Sequence, residues 1–567
     1  MVLSSGYGQH WLHLWSTQAM NHQKRTFSAS NPAPNYSTSR YNRASHLSAA
    51  DKLQIPAFTQ FSKSIDPSEL AQIPDPTLFS FAELQLDPSQ LYDHTRLPTV
   101  AECATHLELL HAFYAIRKKV LSSAAWDKAL GIEPETTTTT RKERAYDYNR
   151  RCYATKTYTV VKRDENFNSR REEKWPFYLK FAAVRFIHWA EAVAVNIPHG
   201  HRDTMLPLPP LDVLMVWHAL LLNPTWFNSF ENGAVKQLRD IPFPWQEIHK
   251  TIDTNKVDWP FNLRRRASAW FESYLDCDAD LYEYIASETK PEKFANILKK
   301  HGALRDESST KRGITLQDID EAVLSHHEMP EIPDWGLIYL EEVVSRADED
   351  PIKGLVDAVQ RQSLFVDKME KQLWIRSPAL RGTLERAITR YRRFLQLFKF
   401  YPGKMLVPTL DIDLVWHTHQ LSPFLYQAGT TKYARRIIDH NDKLGRPTLD
   451  DGFTRTKELY RIRFGQEYNV CTCWDCEALL SAAENAWDPD KDIDESAIAK
   501  TVHEQLAYHR AAEVARRKAP PDVRPDQPPA PSTAASTTRK LKTAPKEKYR
   551  SPVFYKRREK NSLMKRW

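Results

Sequence analysis

The segment LDIDLVWHTHQLSP, Leu410 to Pro423, places two aspartates, a tryptophan and two histidines within fourteen residues. Carboxylates and imidazoles this close together serve as general acids and bases or as ligands of zinc and iron. If Asp411 caps a helix here, the helical pitch brings Asp413 and His417 to one face, because they are four residues apart. His417 and His419 then point in nearly opposite directions, and one metal ion cannot bind both.

Two interpretations of these side chains stay open. In the first, the histidines are buried and hydrogen-bonded in a helix that is apolar on every face, and an aspartate fixes an imidazole tautomer. In the second, Asp413, His417 and His419 are the catalytic candidates of a metal-dependent enzyme, with His440 and Asp442 nearby as further ligands. The H-x-D or H-x-E motif of 2-oxoglutarate oxygenases is absent from WHTHQ, which argues against that class.

A second candidate metal site is the cluster of Cys471, Cys473 and Cys476 in CTCWDC. Three thiolates are soft ligands for zinc, and a structural zinc needs four, so His440 or another histidine would complete the tetrahedron. Small buried cysteines explain the same cluster without a metal. Zinc is therefore the one cofactor that the sequence suggests, and a redox role lacks the βαβ context that it needs.

An earlier segment repeats the first one at an offset of 199 residues. LDVLMVWHALLLNP, Leu211 to Pro224, shares its leucines, aspartate, valine, tryptophan, histidine and proline. The first copy has Leu214 and Leu220 where the second copy has Asp413 and His419. Shared residues are expected to build the core, and residues found only in the second copy to build a site. The repeat predicts two related multi-helix units packed as a pseudo-repeat.

The predicted fold class is mainly α. Apolar residues recur three or four apart from Pro98 to Trp126, whereas period-two alternation bounded by Asn-Gly or Asp-Gly turns is almost absent. The threonine run in GIEPETTTTTRKER interrupts the helical pattern and is assigned to a surface loop. Further helices are predicted over WPFYLKFAAVRFIHWAEAVAV, LRRRASAWFESYLDCDADLYEYIASE, PDWGLIYLEEVVSRA, PIKGLVDAVQRQSLFVDKMEKQLW and ALRGTLERAITRYRRFLQLFKF.

Composition predicts the domain organisation. The expected segments are a disordered leader at 1–60, a first helical unit at 61–300, a linker at 301–334, a second helical unit with the cysteines at 335–490, a helix at 491–518, and a basic, Pro-rich disordered tail at 519–567. No apolar run is long and uninterrupted enough to span a bilayer. Six cysteines in 567 residues indicate a reducing compartment.

The net charge of +8 is concentrated at the ends of the chain. Residues 516–567 hold sixteen Lys and Arg against four Asp and Glu, and the first fifty residues add +4, which leaves −8 for residues 51–515. A nucleic-acid-binding face is therefore not expected on the folded body. The basic tail is typical of nuclear import signals or of weak contacts with acidic surfaces, nucleic acid included. The leader resembles a mitochondrial transit peptide in composition, but a disordered leader on a cytoplasmic protein explains it more simply.

These motifs resemble the glycine-rich domain-containing protein-like family of plants and fungi, whose hallmark is a twice-occurring D…WHxHxLxP segment. The second copy, followed by IIDHNDK, DGFTRTKELYRIRFG and CTCWDCEALL, is similar to the fungal branch, and the resemblance covers roughly residues 90–490. Leu220 departs from the pattern, because the family usually has a second histidine there. The resemblance implies an α-helical region without a defined biochemical activity, and the RNA role of plant relatives is not carried over.

The leading hypothesis is therefore an intracellular, α-helical interaction or scaffold protein with a protein partner. The alternative is the metal-dependent enzyme described above, with zinc or iron as its ion.

Overall fold

Helices form most of the regular structure in the part of the chain that the computed structural model describes. That part comprises residues 73–84, 94–129, 137–147, 151–162, 167–198, 206–230, 233–254, 258–286, 350–440, 445–486 and 494–518, with a few isolated residues between these ranges. The mainly α fold class is confirmed. The predicted leader, linker and tail lie outside the described residues, as does nearly all of the predicted helix PDWGLIYLEEVVSRA. Within the described ranges, no helix is long and apolar enough to cross a membrane.

The first part of the fold surrounds the first motif copy. Its elements are α1 (Phe81–Leu84), α2 (Val100–Ser122), α3 (Ala124–Ala129), β1 (Thr137–Asp147), β2 (Cys152–Lys162), α4 (Phe167–Glu172), α5 (Lys174–Asn196), α6 (Leu211–Leu221), α7 (Pro224–Ser229), α8 (Trp245–Thr251), α9 (Arg265–Leu275) and α10 (Leu281–Ala286). Short 3₁₀ turns occur at Pro76–Leu78 and Val235–Asp240.

The second part surrounds the second copy. Its elements are α11 (Ile352–Gln372), a 3₁₀ turn at Trp374–Arg376, α12 (Leu380–Phe400), α13 (Leu410–Gln420), α14 (Pro423–Ala434), α15 (Arg446–Phe464), α16 (Trp474–Ala486) and α17 (Glu495–Lys518). The motif helices α6 and α13 each contain eleven residues, and each is followed by a helix that has proline at its first position. Proline suits that position because its fixed φ is helical and its missing N–H is not needed there.

The threonine run forms a strand, so its assignment to a surface loop is wrong. Residues 137–147 and 152–162 pair as an antiparallel hairpin in which Thr137 lies opposite Lys162 and Asp147 lies opposite Cys152. β-branched threonines disfavour helix but fit the pleated backbone of a strand. The second strand, CYATKTYTVVK, supplies a partner that is also rich in β-branched and aromatic residues. The loop prediction took account of the low helical propensity of threonine but not of its preference for strands.

Helix α2 brings the two motif copies into one core. Thr99 begins it with a capping box, in which the Thr99 hydroxyl accepts from the Glu102 N–H and the Glu102 carboxylate accepts from the Thr99 N–H. The helix packs against α11 and α13 of the second part and against α5 and α8 of the first. A single hydrophobic cluster includes Trp217 from α6 and Trp416 from α13. Nearly every side chain from Ala101 to Phe113 is buried, which explains how one helix can contact both parts.

An arginine from the preceding long helix pairs with the aspartate of each motif. Arg185 Nε of α5 donates to Asp212 Oδ2 at 2.7 Å, and Arg390 Nε of α12 donates to Asp411 Oδ2 at 2.6 Å. The expectation that Asp411 caps its helix is therefore wrong, since α13 begins at Leu410 and has no side-chain cap bond. The carboxylate is instead part of a largely buried ion pair, and removing one partner of such a pair leaves a buried charge without compensation.

Asp212→Ala tests how much the ion pair between Arg185 and Asp212 contributes to stability. We expect the free energy of unfolding to fall by about 3 to 5 kcal/mol, because Arg185 stays buried without its carboxylate. Asp411→Ala should lower it in the same way but by less, since the Arg390 side chain is 11% exposed and that of Arg185 only 1%. Urea unfolding of the full chain gives both values, and Asp451→Ala on an exposed helix position is the control. A loss near 1 kcal/mol for Asp212→Ala, which is typical of a lost helix cap, would contradict the ion-pair argument.

Candidate functional site

His106 of α2 links the two motif helices at the centre of the core. Its Nδ1 lies 2.9 Å from the Thr418 hydroxyl of α13, and its Nε2 lies 2.9 Å from His218 Nε2 of α6. The Thr418 hydroxyl donates its one proton to Leu414 O, so it accepts from His106 Nδ1–H. His106 Nε2 must then accept from His218 Nε2–H, and both imidazoles are neutral. Burial, the largest cause, lowers the pKa of His106 well below its usual value and the pKa of His218 to about 3.

His419 is held by protein groups at both ring nitrogens. Its Nε2–H donates to the Leu425 carbonyl at 3.1 Å, and its Nδ1 accepts from the Tyr391 hydroxyl at 3.0 Å. The ring also lies against Gly429, where an added Cβ would be 2.7 Å from His419 Cε1. Burial lowers the pKa of His419 to about 3. These contacts use both nitrogens, so His419 has none left for a metal or a substrate.

Asp413, His417 and His440 converge on a different side of α13. His417 Nε2 lies 3.1 Å from His440 Nε2, and Asp413 Oδ1 lies 3.5 Å and 3.7 Å from these two atoms. Asp413 Oδ1 and the Nδ1 atoms of both histidines are buried and have no hydrogen-bond partner. Two imidazoles and one carboxylate are also the ligand types that zinc and iron accept in proteins.

The charge states of this cluster suit a cation. Burial, the largest influence, would raise the pKa of Asp413, but the His417 and His440 imidazoles and the Lys368 ammonium hold it below its usual value. Burial lowers the pKa of His417 to about 3, and Asp413 opposes that shift only in part. At neutral pH the cluster therefore contains an ionised carboxylate and a neutral His417 imidazole, which are the forms that bind metals.

A short hydrogen-bonded chain fixes the position of His440. Trp416 Nε1–H donates to the Tyr426 hydroxyl at 2.8 Å, and this hydroxyl donates to the Ile438 carbonyl at 2.6 Å. The Trp416 ring also meets the His440 ring edge-on, with 5.1 Å between the ring centroids. Trp416 thus connects the segment after α14 to α13, beside His417.

The three cysteines form a separate cluster at the start of α16, with Cys471 and Cys473 before the helix and Cys476 in its first turn. Their sulfurs lie within 4.8 Å of one another, and none of the three forms a disulfide. Two tryptophans attach the loop, since Trp374 Nε1–H donates to Thr472 O and Trp474 Nε1–H donates to Gln372 O. Hydrogen bonds with Cys471 and Cys473 raise the pKa of the Cys476 thiol, a shift that a bound cation would reverse. Zinc at this cluster stays a prediction.

The structure thus divides the candidates that the sequence grouped. It brings Asp413 and His417 together with His440, directs His419 elsewhere, and does not include His440 in the cysteine cluster. Asp442 lies outside the described residues. Sequence reasoning missed His106 and the two arginine partners. The arginines left a signal, because Arg185 and Arg390 are each followed by an aromatic residue in the helix before the motif. His106 left none, because α2 is buried on nearly all sides.

Comparison with known proteins finds a similarity in the region of the second motif. Residues 338–428 match the glycine-rich domain-containing protein-like family model. This match includes Asp413, His417 and His419 but neither His440 nor the first motif copy, so the two-unit pseudo-repeat stays a prediction.

Two curated plant proteins share part of the chain. Glycine-rich domain-containing protein 1 of Arabidopsis thaliana is 36% identical over 122 residues, which is 20% of this chain and 14% of that protein. Glycine-rich domain-containing protein 2 of the same plant is 33% identical over 133 residues, 22% of this chain and 16% of that protein. The alignments thus span about a seventh of each relative's length. No solved structure matches the chain. Assignment to the fungal branch of the glycine-rich domain-containing protein-like family stays a prediction.

His419→Leu tests whether the second histidine is structural. The first motif has Leu220 here and Phe186 after its arginine, whereas the second has His419 and Tyr391. The single change leaves the buried Tyr391 hydroxyl unpaired and should cost about 1 to 3 kcal/mol of unfolding free energy. The double change with Tyr391→Phe removes both polar partners and should cost less than the single one. Equal or larger loss in the double variant, measured by urea unfolding, would contradict this pairing.

Acid should destabilise the protein through His106 and His218. Their folded-state pKa values lie below 6.5, so the unfolded chain binds more protons between pH 6.5 and about 3. Stability is then complete above pH 6.5 and falls with acidification, by roughly 1.4 kcal/mol per pH unit for each histidine. His218→Gln should reduce the slope of unfolding free energy between pH 6.5 and 4.5 by that amount. His503→Gln, at an exposed position, should leave the slope unchanged.

Proposed function

We propose that this chain is an intracellular helical interaction protein whose β-hairpin binds an acidic segment of a protein partner. One observation carries the proposal. The hairpin, residues 137–162, exposes both of its faces instead of packing one of them on the helical body. Along β1, the consecutive residues Arg141, Lys142, Glu143 and Arg144 are all exposed, although successive side chains of a strand point to opposite faces.

One face of the hairpin has the composition of a binding surface. The pairing register puts Lys142, Arg144 and Tyr146 on the same face as Tyr153, which lies directly opposite Tyr146. The two tyrosine rings form an edge-on pair with centroids 5.2 Å apart, and Arg144 lies over the Tyr153 ring. Tyr153 is 64% exposed. The other positions of this face are threonines and Val161, so the face combines positive charge with aromatic surface and has no carboxylate.

The charge distribution favours a short acidic protein segment as the partner. Residues 137–162 contain seven Lys and Arg against two Asp and Glu, a net charge of +5. The remainder of residues 51–515 then carries −13. This net negative charge opposes the binding of a long polyanion such as a nucleic acid more strongly than that of a short peptide, because the longer ligand carries more charge. Both strands have an outer edge that can hydrogen-bond an extended peptide backbone.

Nothing comparable supports an enzyme that uses Asp413, His417 and His419 together. His419 is committed to Tyr391 and Leu425, so the catalytic set proposed from the sequence is divided between two sides of α13. The scaffold hypothesis requires only that the helical body hold the hairpin in place.

Fluorescence anisotropy of the full chain with a labelled oligoglutamate peptide tests the proposal. We expect salt-dependent binding that Lys142→Glu with Arg144→Glu weakens by roughly tenfold at low ionic strength, since both changes reverse charge on the binding face. Each position lies opposite a threonine, so the strand pairing should persist.

Arg265→Glu with Arg266→Glu is the matched control, because it makes the same change in net charge at exposed positions of α9. Equal weakening by both double variants would show long-range attraction without a hairpin site, and the proposal would fail. Tighter binding of an oligouridylate of the same length than of the peptide would also overturn it, in favour of a nucleic-acid partner.

A further inference from the structure

Three potential ligand atoms form a compact triangle that hydrogen bonding does not account for. A single proton between His417 Nε2 and His440 Nε2 explains the 3.1 Å side of the triangle. The other two sides, 3.5 Å and 3.7 Å, join these nitrogens to Asp413 Oδ1 and are too long for good hydrogen bonds. Asp413 Oδ1 is nevertheless buried and has no hydrogen bond of normal length, although both imidazoles lie within ion-pair distance. A carboxylate oxygen left in this state carries a free-energy cost that some ligand should offset.

The triangle has the dimensions of a zinc site. Zinc binds imidazole nitrogen and carboxylate oxygen at about 2.0 to 2.2 Å, and a tetrahedron of such bonds has edges of roughly 3.3 to 3.6 Å. The three measured sides, 3.1, 3.5 and 3.7 Å, lie around that value. A cation at the centre would contact all three atoms at once, which no arrangement of protons achieves.

The surrounding structure holds the ligands in place and leaves access to solvent. Asp413 and His417 are four residues apart on α13, so the helix itself fixes their spacing. The chain from Trp416 through Tyr426 to Ile438 fixes the segment that carries His440. The Asp413 and His440 side chains are 19% and 14% exposed, which gives an ion a path to the otherwise buried His417.

We propose that Asp413, His417 and His440 bind one divalent metal ion of the zinc class, with the fourth position open to water or another ligand. The first motif provides an internal contrast. It has Leu214 in place of Asp413, and its histidine, His218, bonds to His106. The site is therefore a property of the second motif alone, and it is independent of the hairpin and of the proposed protein partner.

Zinc content of the purified full chain, after equilibrium dialysis against zinc and removal of excess ion, tests the site. We expect Asp413→Asn and His440→Gln each to contain one zinc fewer per chain than the unaltered protein. Asp439→Asn is the matched control, because it makes the same chemical change at the exposed residue next to His440 and should keep the full content. Zinc should also raise the melting temperature of the control but not that of Asp413→Asn.

A separate variant measures how much zinc the cysteine cluster binds. Replacing Cys471, Cys473 and Cys476 with serine removes any thiolate site, and one zinc per chain should remain. Cobalt in this triple variant should show the visible bands of a tetrahedral site without thiolate charge-transfer absorption.

A zinc content of the Asp413→Asn and His440→Gln variants equal to that of the unaltered protein, or a complete loss of zinc from the cysteine variant, would overturn the assignment. So would an unaltered protein that binds no zinc. The cobalt spectrum settles the ligand type even if His440→Gln fails to fold, and Asp413→Leu, which introduces the first motif's residue, provides a second variant.

Discussion

A helix that is buried on almost every side must find a partner for each polar atom that it carries, because an unpaired polar group in a core costs several times what a hydrogen bond contributes. Helix α13 is such a helix, with only Leu410 and Asp413 partly exposed. Arg390, His106 and Tyr391 are the main partners, and each comes from a different position on a neighbouring helix. The packing of α2 and α12 around α13 is therefore set by polar pairing as well as by apolar contact.

The hydrogen-bond partners of buried polar atoms also distinguish structural from functional candidates. His419 has a partner at both nitrogens and a glycine that makes room for its ring, which are the signs of a core residue. Asp413 lies on the same helix and its Oδ1 is also buried, yet this oxygen has no hydrogen bond. Two polar residues that the first motif replaces with leucine thus have different roles. Their absence from one copy marked both as unusual, but only their contacts distinguish them.

The two motif helices also share a set of polar contacts. Each has an aspartate bonded to arginine Nε, a buried tryptophan and a histidine whose Nε2 faces a second histidine. The second histidine differs, since His106 of α2 serves the first motif and His440 serves the second. The pair of His218 and His106 therefore lies in the centre of the core and the pair of His417 and His440 at its rim, although the two motifs are similar in sequence. The neighbouring segments differ in length and path.

The sequence alone predicted the helical class and, for a helix through the second motif, the opposed directions of His417 and His419, because helical periodicity is a local property. It also placed Asp413 and His417 on one face. Only the tertiary structure decided that His440 joins them, that Asp411 pairs with Arg390, and that the threonine run becomes a hairpin strand. The two side-chain pairings depend on partners more than ten residues away in the sequence, and the strand depends on a second strand with which it can pair. Local sequence patterns do not show which distant residues come into contact.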